Sequence, residues 1–183
     1  RKGPTGTANL NRLLQARLNP PAPEKKEKKW GDFSFREGDR VMQIRNNYDI
    51  LWKKTDGSQV GTGVFNGDIG VNTQIDLHAE LMTVVFDDRH VEYDFDMLRE
   101  LEPAYAMTVH KSQGSEYQAV VLAAWSCPPN LRTRSVLYTA ITRARKLLIV
   151  VGREDIIQTM TENDRRSRRY SGLKLRLSQG EEA

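Results

Sequence analysis

The chain has 183 residues, 38% hydrophobic and 28% charged, with a net charge of +4, a balance that excludes a disordered chain and points to a soluble globular one. No apolar run approaches the ~20 residues that span a bilayer, no secretory leader opens the chain, and a lone Cys127 cannot form an internal disulfide, so the expected setting is the reducing cytoplasm with no membrane partner. The three histidines, His78, His90 and His110, are scattered without zinc spacing, and no metal site is expected.

The charge is uneven. Residues 1–30 carry 8 basic and 2 acidic side chains, residues 31–103 carry 7 and 15, and residues 104–183 carry 13 and 7. Basic ends around an acidic middle suit different partners, and the basic parts are the ones that can face phosphate.

In chain order, the first predicted element is a helix over Ala8–Leu18. Leu10, Leu13, Leu14 and Leu18 fall on one stripe, Thr7 stands at the N-cap and Asn19-Pro20-Pro21 ends the element. Pro23–Lys29 reads as a charged, solvated strap. From Phe33 the pattern turns to short strands. Arg40–Arg45 and His90–Phe95 alternate, Leu81–Phe86 is an apolar run, and Asp56-Gly57 and Asn66-Gly67 are turn pairs. Several short strands within about 70 residues predict a small β-barrel. After Ala104 the pattern predicts a buried strand over Ala119–Ala124, a helix over Arg134–Arg145, an apolar strand over Leu147–Val151 closed by Gly152, and a further helix from Glu154 to Met160. Strand, helix, strand with continuous apolar runs implies a parallel α/β sheet. Arg165–Arg169 is a basic cluster.

Two stretches carry chemistry. Thr108-Val109-His110-Lys111-Ser112-Gln113-Gly114-Ser115-Glu116 masses polar side chains directly before a predicted parallel strand, where ligand crevices form. The same composition suits a plain capping loop. Tyr138-Thr139-Ala140-Ile141-Thr142-Arg143-Ala144-Arg145 places Leu137, Ala140, Ile141 and Ala144 on one helical face and Arg143 off it. The planar guanidinium fork fits phosphate, and an ordinary surface arginine fits the pattern as well.

Together these stretches resemble motifs V and VI of superfamily 1 helicases in the RecD/TraA branch, the first from Ala104 to Glu116 and the second from Tyr138 to Ala144. Lys2-Gly3-Pro4-Thr5-Gly6 with Leu10-Asn11 and Leu18-Asn19-Pro20 is similar to the start of that branch's second motor domain. Gly38–Gln43, Asn46-Asn47-Tyr48-Asp49 and Val64–Gly70 resemble its SH3-like insertion. The resemblance implies an α/β fold: a partial RecA-like, P-loop NTPase-type domain with a parallel sheet, interrupted by an SH3-like β-barrel. The implied domains are 1–29, the start of the second motor domain; 30–103, the barrel; 104–160, the remainder with a UvrD-like character; and 161–183, a basic tail. The implied activity is that of an ATP-dependent DNA helicase moving 5′ to 3′ on single-stranded DNA, in settings such as DNA repair and recombination. By carry-over Arg143 resembles the arginine finger, which is worth ~10³–10⁵ in rate where it occurs. Gly114 and Glu116 are similar to the nucleotide-side residues, and Thr108 and His110, with Lys111 and Ser112, to the DNA-backbone contacts. Asn46, Asn47 and Tyr48 match barrel-side DNA contacts.

No Gly-x-x-x-x-Gly-Lys-Ser/Thr occurs in the chain. The implied ATP and Mg²⁺ would therefore be held by the full-length protein and not by this chain alone. The abrupt start at Arg1 predicts a piece of a longer protein, whose N-terminal motor domain is the expected partner, with subunits of a nuclease complex as further candidates. Ile50–Gly63 exceeds the family pattern and predicts an extra hairpin, which bears on the contacts carried over to Asn46–Tyr48. Two other readings stand beside the helicase one. The chain could be a self-sufficient nucleic-acid-binding module, or an SH3-like adaptor for proline-rich peptides, given Trp30, Phe33, Phe35, Tyr48 and Trp52.

Overall fold

The computed structural model describes residues 3–164. The basic cluster Arg165–Arg169 lies outside the described residues. The chain opens with α1 (Thr7–Leu18), followed by the hairpin β1 (Glu27–Trp30) and β2 (Phe33–Arg36). Seven further strands, β3 (Arg40–Gln43), β4 (Asn47–Lys54), β5 (Val60–Val64), β6 (Ile69–Asp76), β7 (Leu81–Phe86), β8 (Arg89–Asp94) and β9 (Leu101–Pro103), form one antiparallel sheet. Its order is β5-β4-β8-β7-β6-β3-β9. The last part holds β10 (Tyr117–Ala124), α2 (Arg134–Ile141), β11 (Ala144–Gly152) and α3 (Glu154–Glu162), with β10 and β11 paired in parallel.

Period-two alternation explains the large sheet. In β7, Met82, Val84 and Phe86 are buried and their neighbours are not; β8 buries Val91 and Tyr93 in the same way. These side chains join Phe35, Val41, Ile50, Val64, Ile75, Phe95, Leu98 and Leu101 in a single core. One core fed by nearly every strand means that the sheet curls around it, which fits an SH3-like region. Asn66-Gly67 and Asp56-Gly57 turn as their residue types require, with φ of +101° at Gly67 and +71° at Gly57. The second of these closes the β4–β5 hairpin, which is the extra hairpin expected from Ile50–Gly63.

The parallel part is smaller. Leu137 of α2 and Ile156 and Met160 of α3 make a second core, with Leu122 of β10 packed against it. Gly152 ends β11 where a Cβ would stand 2.4 Å from the Ala124 carbonyl, so only glycine lets the two strand ends close together.

Five local expectations are corrected. Gly6, not Thr7, is the N-cap of α1, and no side chain caps the helix. The leucine stripe is not its buried face: Leu13 and Leu18 are exposed, while Asn11 and Gln15 are buried. The Pro23–Lys29 strap runs into β1, where Glu27 pairs with Arg36 at 2.7 Å and Lys28 lies 4.0 Å from the centre of the Phe95 ring. The strand over 119–124 is not buried: Ala119, Val121 and Ala123 are exposed, Val120 and Leu122 half-buried, and Ala124 is its buried member. The helix predicted to Arg145 stops at Ile141, so Arg143 sits on the turn that follows and Arg145 on β11.

Candidate functional site

The polar loop 108–116 lies between the two cores. It is a succession of turns in which the Thr108 carbonyl accepts from the backbone N–H groups of Lys111 and Ser112. Gly114 takes φ +85°, and nothing lies within 4 Å of where its Cβ would stand. The backbone there is open to close approach by a ligand.

One wall of a cleft of about 540 Å³ is made by His110, Lys111 and Gln113 of this loop, and the other by Ile44, Asn66 and Gly67 of the barrel. His110 is exposed. The Lys111 ammonium donates to the Glu102 carboxylate at 2.5 Å, which pins the loop to the end of β9. Ser112 is buried, and its hydroxyl donates to the Val109 carbonyl. Thr108 is half-buried.

The far end of the same loop meets the second predicted stretch. The Arg143 guanidinium donates to the Ser115 carbonyl at 2.9 Å, to the Thr139 carbonyl at 3.1 Å and to the Thr142 hydroxyl at 3.3 Å. The Arg143 carbonyl in turn accepts from the Tyr117 N–H. Arg143 is half-buried and has no carboxylate partner among the described residues. The adjacent Glu116 accepts from Arg145 at 2.6 Å in an exposed pair. Gly114, Glu116 and Arg143 therefore come together, and Thr108, His110 and Lys111 stand at the opposite end of the loop.

On the barrel side, Asn46 is exposed. Its amide donates to the Tyr48 hydroxyl at 3.1 Å, and its oxygen accepts from the Asn66 N–H at 2.9 Å. Asn47 is taken up internally, donating to Glu100 and accepting from the Asp49 and Ile50 N–H groups. Of the barrel aromatics, Phe35 is in the core and Trp30, Phe33 and Trp52 pack against it, while Tyr48 stays 64% exposed.

Residue-type reasoning missed a buried hub that holds the loop in place. The Asp39 carboxylate is fully buried and accepts four hydrogen bonds: from Gln15 at 2.6 Å, Asn19 at 2.7 Å, the Arg36 N–H at 2.7 Å and the Tyr105 hydroxyl at 2.9 Å. Burial first, then the Asp39 charge beside it, pushes the Tyr105 phenol up to about 12, so Tyr105 stays a neutral donor at ordinary pH. Asn11 adds a second clamp. Its amide donates to the Ala106 carbonyl and its oxygen accepts from the Ala106 N–H, both at 2.8 Å. Helix α1, the barrel and the residues leading into the loop are thereby joined at one point. Tyr105→Phe should remove one of these bonds for about 1 kcal/mol of stability, measurable in a urea titration of this chain; no change in midpoint would show that the bond is not made.

Residues 10–86 match the family model described as the ATP-dependent RecD-like DNA helicase SH3 domain, and residues 103–151 match that of the UvrD-like helicase C-terminal domain. The chain is 32% identical to the ATP-dependent RecD2 DNA helicase of Deinococcus radiodurans over 92% of its own length and 21% of that protein's. It is 33% identical to the RecBCD enzyme subunit RecD of Mycolicibacterium smegmatis over 97% of its length and 28% of the relative's. The chain thus spans between about a fifth and somewhat over a quarter of the length of these two curated relatives. A solved structure of Pif1 helicases coordinating at forked double-stranded DNA shares the fold with a TM-score of 0.52 at 18% identity, over 98% of this chain and 43% of that one.

Proposed function

Because the chain belongs to the RecD-like helicases, carrying their SH3 domain and a UvrD-like helicase C-terminal domain, we propose that it supplies the arginine finger and one side of the DNA track of an ATP-dependent DNA helicase moving 5′ to 3′. In this reading residues 30–103 are the insertion within a RecA-like second motor domain made by 1–29 and 104–160, and 161–183 are a basic tail. The observation that carries it is the reach of the loop 108–116. Its middle, from His110 to Gln113, lines the cleft against the barrel, and Ser115 near its end is bonded to Arg143.

Thr108, His110 and Lys111 hold the phosphate backbone of a single strand, with Asn46 and Tyr48 opposite. Ser112 and Asn47, whose side chains bond inside the protein, brace those walls. Gly114 and Glu116 face the nucleotide, and Arg143 reaches the transferring phosphoryl group. Its present partners are neutral carbonyls and a hydroxyl, and a phosphate competes with them by adding the attraction of opposite charges and a second oxygen for the planar fork. ATP with its Mg²⁺ is cradled by the N-terminal motor domain of the full-length protein, so this chain alone does not turn over ATP. DNA-processing subunits of a nuclease complex are candidate partners, as the RecD relatives are named RecBCD subunits.

Contacts to backbone read no sequence. His110→Ala in the full-length protein should weaken single-strand affinity by a similar factor on mixed-sequence and poly-thymidine oligonucleotides. A loss confined to one sequence would assign His110 to base readout instead.

The isolated chain should bind single strands weakly, because it offers one side of a track and its middle segment carries the excess of acidic residues noted above. A few phosphate contacts give a log–log salt slope of about −0.7 each. Titrating a fluorescent oligonucleotide at low and moderate salt measures this; tight binding that survives high salt would favour a self-sufficient binding module.

A further inference from the structure

Every aromatic side chain of the barrel between Trp30 and Phe95 belongs to the core or packs against it, with two exceptions. Tyr48 is 64% exposed and Phe65 is 43% exposed, and their rings meet edge to face with centroids 5.7 Å apart. We infer that this pair is a stacking platform for an unpaired base of the single strand, with Arg45 taking the neighbouring phosphate. The inference rests on the helicase reading and adds to it the side chains that hold a base.

The pair is held in place. The Asn46 amide bonds the Tyr48 hydroxyl, and the Asn46 oxygen bonds the Asn66 N–H, which fixes the two strand ends to one another. The Phe65 N–H donates to Asp68 at 3.0 Å. Gly63, at φ +99°, leaves room for the ring, since a Cβ there would stand 3.1 Å from Phe65 Cζ. An apolar pair that is exposed yet ordered has a surface ready for a partner and loses little entropy when it binds one.

The position selects the partner. Asn66, next to Phe65, and Ile44, next to Arg45, both line the cleft whose other wall is His110, Lys111 and Gln113. Arg45 is exposed and has no ion pair among the described residues. An exposed ring pair and an exposed cation, each next in the chain to a residue that lines a polar cleft, fit a base and its phosphate: every base offers a π-face, and such stacking tolerates any sequence. A proline-rich peptide would call for a groove lined with several aromatic rings, and here the other barrel aromatics are spent on the core.

The test uses the full-length protein without nucleotide and thymidine oligonucleotides carrying 2-aminopurine at successive positions. Wild-type protein should quench the probe at one or two positions as the ring stacks. Phe65→Ala and Phe65→Leu should both weaken binding by roughly 5- to 150-fold, the range of a lost base stack, and should restore the fluorescence, while Phe65→Trp keeps both. Thermal midpoints close to wild type would show that the variants fold. Wild-type binding with unchanged affinity and fluorescence in Phe65→Ala would overturn the platform and leave the helicase reading standing. So would equal affinity for an oligonucleotide lacking bases at the quenched positions, and displacement of the oligonucleotide by a proline-rich peptide would assign the pair to peptide binding. Failure of the wild-type protein to bind any single strand would overturn the helicase reading itself, and the platform with it.

Discussion

Arg143→Ala in the full-length protein is expected to lower ATP turnover by ~10³–10⁵ while leaving single-strand affinity within about twofold. Three features of the side chain motivate the size of the effect. It has no carboxylate to neutralise it among the described residues, so its charge is free to act on phosphate. It lies on the turn after α2, bonded to the Ser115 carbonyl one residue from Gly114, where the backbone is open. Its loop partner is Ser115, which does not line the cleft, so its removal spares His110 and Lys111. Arg143→Lys should recover little, because an ammonium cannot reproduce the planar fork. Steady-state turnover at saturating ATP and DNA decides the matter; normal turnover in Arg143→Ala would take this residue out of the nucleotide site.

The second large effect concerns stability. Asp39→Ala should remove the acceptor for four donors at once, those of Gln15, Asn19, the Arg36 N–H and Tyr105. A buried donor left unsatisfied costs about 1–3 kcal/mol. Some of the freed amides can turn to water, so the expected total is on the order of 3–5 kcal/mol. For a chain of this length that corresponds to a fall in thermal midpoint of about 10 °C. Asp39→Asn should not rescue, since its amide nitrogen would face groups that are themselves donors. Asn11→Ala, which cuts the parallel clamp on Ala106, should cost less, about 1–3 kcal/mol. A thermal scan of Asp39→Ala that overlays the wild type would show that the hub does not hold the junction.

Much of the barrel could be read in advance because its signals are local. Alternation in β7 and β8 and the two glycine turns depend on neighbours a few residues away. The first helix was legible as a helix but not in its orientation. Apolar spacing put the leucines on one stripe, whereas α1 docks through Gln15 and its cap Asn19 onto the Asp39 carboxylate, 20 or more residues distant, and through Asn11 onto the Ala106 backbone. The exposure of β10 and β11 escaped for a related reason. A continuous apolar run implies cover on both faces, yet what covers a strand is a property of the other elements and not of the run itself.

The site was legible in part. Family resemblance drew attention to 104–116 and 138–144, and the structure joins these two stretches through Arg143 and Ser115. The same resemblance touched Asn11, Asn19, Asp39 and Tyr105 without indicating their work. Their partners lie up to 95 residues away in sequence, and a short polar motif shows no sign of a contact made at that distance. Phe65 escaped for the opposite reason. A barrel aromatic is most often a core residue, and its exposure emerges only once the strands are placed.

In the proposed function one loop joins a single-strand cleft to the nucleotide-side arginine. The most direct measurement is ATP turnover of the full-length protein as a function of single-stranded oligonucleotide concentration. Strong stimulation that saturates with DNA is expected, with the half-saturating concentration raised in His110→Ala and the maximal rate abolished in Arg143→Ala. Turnover that is the same with and without single strands would contradict it.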